Sequence, residues 1–437
     1  PLNLTLTDFH DPQANHILDA EVHNNTLIIS GWIQGIEFYD ISENGNLNHI
    51  DHFNLGQGTK ANCVDAINNY AYFTSSNGLY VVNISNPSNP QSLGRVNGTN
   101  GYILENLDAS DNLLAVSAHE DGVLLYNISN PNNLELESII QCENAWGTRL
   151  IEEILYIADE NFVKIYNVLD PSNPIYINSI QTSNAVKDIA IDGILMYVAL
   201  GSDGIDIYNI FDLEAPILLD NYNTNTMAGR ISIFDNKLAV ADWDDVDILE
   251  WNGNSLDLIG YKNTGNRTMA IASKNNFIYS AEWKSVQAFE FGPVYGPDID
   301  LSTLELNYPY VSPGDNYVLS VEVFNNGNEI LQISDNYTTD SHFELLNQLI
   351  DINPGDSQII EISYVASELN SAGVYRIYTN DTDESLVLCE TNGNIDGANI
   401  GDLAVDFELD YIANGTGTFR LSDHLGQIIV LAFFAPN

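Results

Sequence analysis

Basic residues are scarce in this chain. It carries 13 Lys and Arg against 61 Asp and Glu, a formal net charge of −48 over 437 residues. Nucleic-acid binding requires a basic stripe to meet phosphates, and no such stripe exists, so that class is excluded. Adsorption to anionic membrane surfaces is disfavoured on the same ground. Cysteine is nearly absent too. Cys63, Cys142 and Cys389 are odd in number and far apart, forming no CxxC pair, no zinc spacing and no disulfide framework. Long apolar runs are also lacking: Ile428–Phe434 is far too short to span a bilayer. His119 and the other scattered histidines have no partner at ligand spacing, so a metal enzyme is not expected. No paired acid and base, and no Ser/His constellation, marks a hydrolase.

What is present speaks for a folded, exported protein. Hydrophobic residues make up 44% and Tyr numbers 23, a composition that does not fit disorder. An excess of acid keeps a protein soluble and attracts cations, as a secreted or salt-exposed surface does. The opening Pro1-Leu2-Asn3 is expected to be a processed terminus. Asn97, Asn266 and Asn336 open Asn-X-Ser/Thr sequons, a weak pointer in the same direction. The expected location is extracellular, at the cell surface or periplasmic.

A unit of about forty residues recurs seven times between Ile17 and Gly292, the span of a propeller blade. Its clearest copy is YAYFTSSNGLYVVNISNPSNP, from Tyr70 to Pro90: a strand, a Gly turn, a second strand, then Asn-Pro punctuation. The polar residues that close the second strand are Asp40, Asn83, Asn127, Asn167, Asn209, Glu250 and Glu290. They serve as anchors for the seven copies, and successive spacings are 43, 44, 40, 42, 41 and 40 residues. Gly35, Gly78, Gly122 and Gly204 fall between the two strands, where a tight hairpin needs positive φ. Pro87, Pro131 and Pro171 end the second strand, because Pro cannot donate to a ladder. Short strands with regular turn signals predict an all-β closed array. Copy seven has no outer strand of its own before Gly292-Pro293. The alternating N-terminal stretch Leu2–Phe9 is therefore expected to complete it and remove the open edge.

These copies resemble the LVIVD repeat of bacterial and archaeal surface proteins, most closely in the NISNPSNP and NISNPNNL turns. Copies six (VDILEWNG) and seven (VQAFEFGP) depart from it, having lost the Asn-Pro turn. The resemblance implies a seven-bladed β-propeller of four-stranded sheets over residues 1–292. A Gly/Pro-punctuated linker, 293–300, follows. From 301 to 395 the twin turns Pro313-Gly314-Asp315 and Pro354-Gly355-Asp356 each launch a strand, which predicts a β-sandwich. PGDSQIIEISY followed by GVYRIYTNDTD resembles immunoglobulin-like modules of the choice-of-anchor and abnormal-spindle type. Asn392 to Gly397 mimics the start of a calcium loop but has Leu403 at the twelfth position, so a polar linker is expected there.

Residues 396–437 resemble the beginning of a redoxin domain, the thioredoxin-like fold. Gly401–Leu409 matches its first strand, Phe419–Gly426 its next segment, and Ile428–Phe434 its first central strand. The resemblance places the active-site Cys pair just beyond position 437, so no thiol chemistry is expected from these 437 residues.

Candidate chemistry within the repeats is thin. Asp19, Asp65, Asp108 and Asp188 all stand near the start of an inner strand, where carboxylates can ring a channel mouth. Such a ring could hold a hard cation such as calcium; solvated turn residues are the plainer reading. Asp242-Trp243-Asp244-Asp245 occupies the hairpin-loop position of copy six. The expected function is a non-catalytic, secreted or cell-surface binding scaffold that presents propeller and sandwich faces. It would engage a protein or cell-surface partner, self-assembly included. The alternative is the carrier portion of a modular thiol-disulfide oxidoreductase.

Overall fold

A computed structural model describes residues 2–394 apart from positions 14, 34, 43–44, 55–59, 225, 367–370 and 383; beyond them it describes 408–410 and 418–420. Among the described residues every regular element is a strand. The chain divides at Gly296/Pro297 into two compact units.

In the first unit, copies one to five each form a four-stranded antiparallel sheet whose strands lie in chain order. Copy two shows the pattern: Ala61–Ile67, Tyr70–Ser75, Gly78–Asn83 and Gln91–Arg95. The anchor residues explain the repeat. Asn83, Asn127, Asn167 and Asn209 each accept, through Oδ1, the N–H two residues on, at 2.9–3.0 Å. Asp40 does the same for Ser42 at 2.9 Å. A short side chain that mimics a backbone turn thus ends the third strand and starts the outer one. Glu250 and Glu290 are too long for this, and in copy six Asn252 takes over, accepting from Asn254 at 2.8 Å. The hairpin glycines answer a second constraint. At Gly122 (φ 90°) a Cβ would stand 2.1 Å from the Ile140 carbonyl oxygen, and at Gly204 (φ 75°) 2.0 Å from that of Tyr222. The outer strand closes so tightly over the hairpin that only glycine fits.

Copies six and seven share one six-stranded sheet. Its order is Leu2–His10, Val286–Pro293, Phe277–Glu282, Leu256–Lys274, Lys237–Trp251 and Ala228–Phe234. Copy six has Asp245 where four other copies have the hairpin Gly, and no tight turn forms. Lys237–Trp251 instead runs as one bent strand, its register shifting between Trp243 and Asp245. The expected hairpin loop at Asp242–Asp245 is thus part of a strand. Leu2–His10 pairs antiparallel with Val286–Pro293, Leu4 facing Phe291, so the first strand of the chain is the outer strand of copy seven.

Among the described residues seven buried cores fill the gaps between neighbouring copies. Phe38 of copy one meets Phe73 of copy two, and Leu125 of copy three meets Leu155 of copy four. The last core joins Tyr279 and Ala281 of copy seven to Ile17, Leu27 and Tyr39 of copy one. Each sheet is covered by the next, the interdependence expected of repeats that cannot bury a core alone.

The second unit contains two four-stranded sheets. One is ordered Ile299–Leu301, Asn316–Asn325, Ser357–Val365, Phe343–Leu345; the other Glu305–Asn307, Leu386–Gly393, Ser371–Thr379, Ile333–Thr338. Val321, Ile362 and Tyr364 from the first and Tyr375, Ile377 and Cys389 from the second bury one another in a common core. The redoxin-like stretch lies outside the described residues, except that Glu408–Asp410 pairs antiparallel with Thr418–Arg420. The calcium-loop mimic lies outside them from position 395 onward.

Candidate functional site: the axial channel and its tryptophan mouth

The inner strands of the first unit converge on a cavity of about 270 Å³ lined by Asp19, Asp65, Asp108 and Asp188, the four carboxylates expected there, together with Glu21, Arg149 and Arg230. The structure brings all four together, and each has a task between copies. Asp19 Oδ2 accepts the Val64 N–H at 3.0 Å, Asp65 Oδ2 that of Ala109 at 2.5 Å, and Asp188 Oδ2 that of Ile231 at 3.0 Å. Asp108 Oδ2 accepts from Leu150 in the same way. Every one of these bonds links an inner strand to that of the next copy.

Two arginines that the repeat pattern did not reveal enter the same cavity, and the second oxygens of Asp108 and Asp188 face one of them, Arg149. Arg149 Nη1 lies 3.2 Å from Asp108 Oδ1, its Nη2 lies 3.9 Å from Asp188 Oδ1, and its Nε donates to the Ile189 carbonyl at 2.9 Å. Arg230 Nη1 donates to the Lys187 carbonyl at 3.1 Å, while its buried Nε has no partner among the described residues. Burial raises Asp19 and Asp65 above the usual carboxylate range. It pushes Asp108 up to about 7 against the pull of Arg149. Glu21 is raised well above its ordinary value, by burial and then by Asp65 and Asp19. Asp108 in turn raises Arg149, which stays cationic. The two arginines offset part of this acid, so the carboxylates repel one another less than a bare ring would.

Arg230 also belongs to a second cavity, of about 520 Å³, at the end of the channel where the inner strands begin. Four of the five tryptophans of the chain line it: Trp32, Trp146, Trp243 and Trp283. Cations cover three of them. Lys60 Nζ stands 3.7 Å above the Trp32 ring, Lys187 Nζ 5.5 Å from Trp146, and the Arg267 guanidinium 4.9 Å from Trp243. Such pairs are electrostatic contacts with the negative ring face. Histidines pack edge-on, His16 against Trp283 at 4.6 Å and His119 against Trp146 at 5.0 Å. Three residues of this set hold left-handed backbone: His16 (φ 57°), His119 (φ 50°) and Trp243 (φ 64°). For side chains of this size that conformation costs about 1–3 kcal/mol and concentrates at functional sites.

Sequence reasoning missed this mouth. The usable signal was an offset: Trp32, Trp243 and Trp283 each stand seven or eight residues before the anchor of their copy. Chemically the mouth offers flat apolar faces, 39% exposed at Trp32 and 36% at Trp146. It also offers fixed positive charge in a chain that has little.

A closed ring of antiparallel sheets around an axial cavity defines a β-propeller protein. Two segments, residues 58–98 and 184–224, match the LVIVD repeat. Among solved structures the chain is similar to the β-propeller domain of Cps50 (Swd1) from Myceliophteria thermophila, with 10% identity, a TM-score of 0.53, and 66% of this chain and 99% of that one covered. The WD40 β-propeller domain of Doa1 is similar at 12% identity and a TM-score of 0.51, over 66% of this chain and 97% of that one. A chain of the mitotic checkpoint complex is similar at 11% identity and a TM-score of 0.55, over 66% and 96%. These likenesses concern the fold. No curated protein matches the chain. Among the described residues no helix is long and apolar enough to cross a membrane.

Proposed function

We propose that this protein is a non-catalytic binding scaffold of the cell exterior, which captures a protein partner at the tryptophan mouth of a seven-bladed propeller. The blade count is supported by the seven anchors, the seven inter-copy cores and the first strand joining the last copy. An immunoglobulin-like character for the second unit is supported by its strand pairing. Ile299–Leu301 pairs antiparallel with Asn316–Asn325 in one sheet, while the next strand, Glu305–Asn307, pairs parallel with Leu386–Gly393 in the other. In this reading the sandwich is a spacer or second contact surface.

The observation that carries the proposal is the gathering of Trp32, Trp146, Trp243 and Trp283 with Lys60, Lys187, Arg230 and Arg267 at one mouth. Aromatic side chains and arginine are the residues that anchor protein interfaces. The matching partner segment presents an apolar or aromatic side chain to the tryptophans and a neighbouring carboxylate to Lys187 and Arg230. Surface acid elsewhere would turn such a segment away and so restrict it to the mouth.

Because most of the tryptophan is at the mouth, intrinsic fluorescence reports occupancy. Titration with a Glu- and Tyr-rich peptide should shift or quench emission, and the response should disappear in Trp32→Ala/Lys187→Ala. A Lys- and Tyr-rich peptide should not act through these residues. Equal responses to both peptides, or a response that the double variant retains, would remove the proposal.

A further inference from the structure

Copy six departs from the others in a way that concentrates acid where water does not reach. Five residues before the anchor, Gly35, Gly78, Gly122 and Gly204 make the hairpin, and copy six has Asp245 there. Three residues before the anchor, copies one and five carry Glu37 and Asp206. Each is capped by the tyrosine two residues on: Tyr39 donates to Glu37 Oε2 at 2.7 Å, and Tyr208 to Asp206 Oδ2 at 2.8 Å. Copy six keeps the acid as Asp247 but has Leu249 in place of the tyrosine, so that donor is gone. Asp242 completes the group from the other side of the bend at Trp243.

The three carboxylates are 0%, 2% and 1% exposed at Asp242, Asp245 and Asp247. One oxygen of each lies within 4.8 Å of one from each of the others. Asp242 is held in place by the Thr224 hydroxyl at 2.7 Å and the Thr226 N–H at 2.9 Å. Asp245 Oδ1 and Asp247 Oδ1 are buried and have no hydrogen-bond partner among the described residues. The charges next to Asp247 are the carboxylates of Asp242 and Asp244. Those next to Asp245 are Asp247, Asp242 and Asp244, and Tyr261 hydrogen-bonds the Asp245 carboxyl. Lys262 sits opposite Val246 in the sheet, so it projects from the face away from Asp245 and Asp247. Unpaired carboxylates buried side by side are strongly unfavourable unless something neutralises them.

We propose that Asp242, Asp245 and Asp247 form a calcium-binding site in the sixth repeat. All donors are oxygens, which selects a hard cation over zinc or copper. Two oxygens on opposite sides of a calcium ion stand about 4.6–5.2 Å apart, so carboxylate oxygens that all lie within 4.8 Å of one another can share one such ion. Magnesium holds several waters and a tighter octahedron, which a pocket this enclosed does not accommodate. A bound ion gives the two orphaned oxygens their partner. It also locks the bend that places Trp243 in the mouth.

The test uses the full chain after removal of metal with a chelator. Calcium should bind by titration calorimetry and raise Tm, with magnesium at equal concentration giving a smaller effect. Terbium should luminesce on excitation of tryptophan, because Trp243 lies between two ligands, and calcium should displace it. Asp245→Asn/Asp247→Asn should lose the calcium-induced rise in Tm while melting, without metal, at or above the metal-free wild type. Asp65→Asn/Asp108→Asn, in the channel, should keep the rise. Absence of calcium binding to wild type would overturn the assignment. So would binding undiminished in the Asp245/Asp247 variant, or binding abolished by the channel pair instead. If the Asp245/Asp247 variant fails to fold, calcium-displaceable terbium emission from wild type decides alone.

Discussion

Asp65 Oδ2 takes its hydrogen bond from the main-chain N–H of Ala109, 2.5 Å away and one repeat further along the chain. The same bond recurs from Asp19 to Val64 and from Asp188 to Ile231. These carboxylates act as clasps between inner strands, at the narrowest part of the ring. Asp65→Ala leaves the Ala109 N–H without an acceptor in a confined space, and such a loss costs about 1–3 kcal/mol. Chemical denaturation should show that loss for Asp65→Ala and a much smaller one for Asp65→Asn, whose amide oxygen still accepts. Equal losses for both would mean that the negative charge, and not the hydrogen bond, matters.

Much of this arrangement could be anticipated from the sequence, for a reason visible in the turns. A turn needs particular residues at particular places, so Gly78, Asn83 and Pro87 of copy two recur at the same offsets as Gly122, Asn127 and Pro131 of copy three, and the other copies keep part of the set. The inner-strand position of Asp19, Asp65, Asp108 and Asp188 followed from the same registration. What escaped is what depends on convergence around the ring. Arg149 and Arg230 enter the channel from copies that lack the clasp aspartate, and nothing local distinguishes them from surface arginines. The mouth is drawn from Trp32, Trp146, Trp243 and Trp283, which come from four different copies. Asp242–Asp245 has the length of a hairpin loop, and only the loss of the hairpin glycine hinted that it would be absorbed into a strand.

Closure of the ring gives a second prediction. Leu4 is fully buried among Phe289, Phe291 and Ile248, Asn3 Oδ1 accepts the Tyr261 N–H at 2.8 Å, and Asp8 Oδ2 accepts the Leu47 N–H at 2.7 Å. The first strand therefore binds copy six, copy seven and copy one at once. Deleting residues 1–10 should lower Tm of the whole ring and expose the edge of Val286–Pro293 to aggregation. Leu4→Ala, a milder lesion, should cost about 2–5 kcal/mol. A truncated protein that melts like the full chain would show that the ring does not need this strand.

The cysteines yield a third. Burial, followed by the charge of Asp19, raises the Cys63 thiol well above its ordinary range. Burial pushes Cys142 and Cys389 up to about 12. Thiolate is the reactive form, so all three should be inert at neutral pH. Native protein should react with Ellman's reagent at a rate set by unfolding, and denatured protein at once with three equivalents. Rapid reaction of the folded chain, mapped to any of the three, would contradict this.

The last prediction concerns pH. Glu282 is fully buried, and burial pushes it up to about 7 although Ser280, Thr264 and Thr268 donate to it. Asp108 is raised to about 7 as well. For a carboxyl with a raised native pKa, the folded state holds its proton over a range where the unfolded state has released it. Stability from such a group is therefore complete below its unfolded pKa, near 4, and declines as pH rises through about 7. Unfolding free energy should fall between pH 5 and pH 8 in chemical denaturation. Glu282→Gln removes the titration and preserves the shape, so the variant should match wild type near pH 4. At pH 8 it should exceed wild type by as much as about 3 kcal/mol. A wild-type stability that climbs over this interval, or a Gln variant that is weaker at pH 8, would mean that Glu282 stays ionised in the folded protein and is held by the three hydroxyls around it.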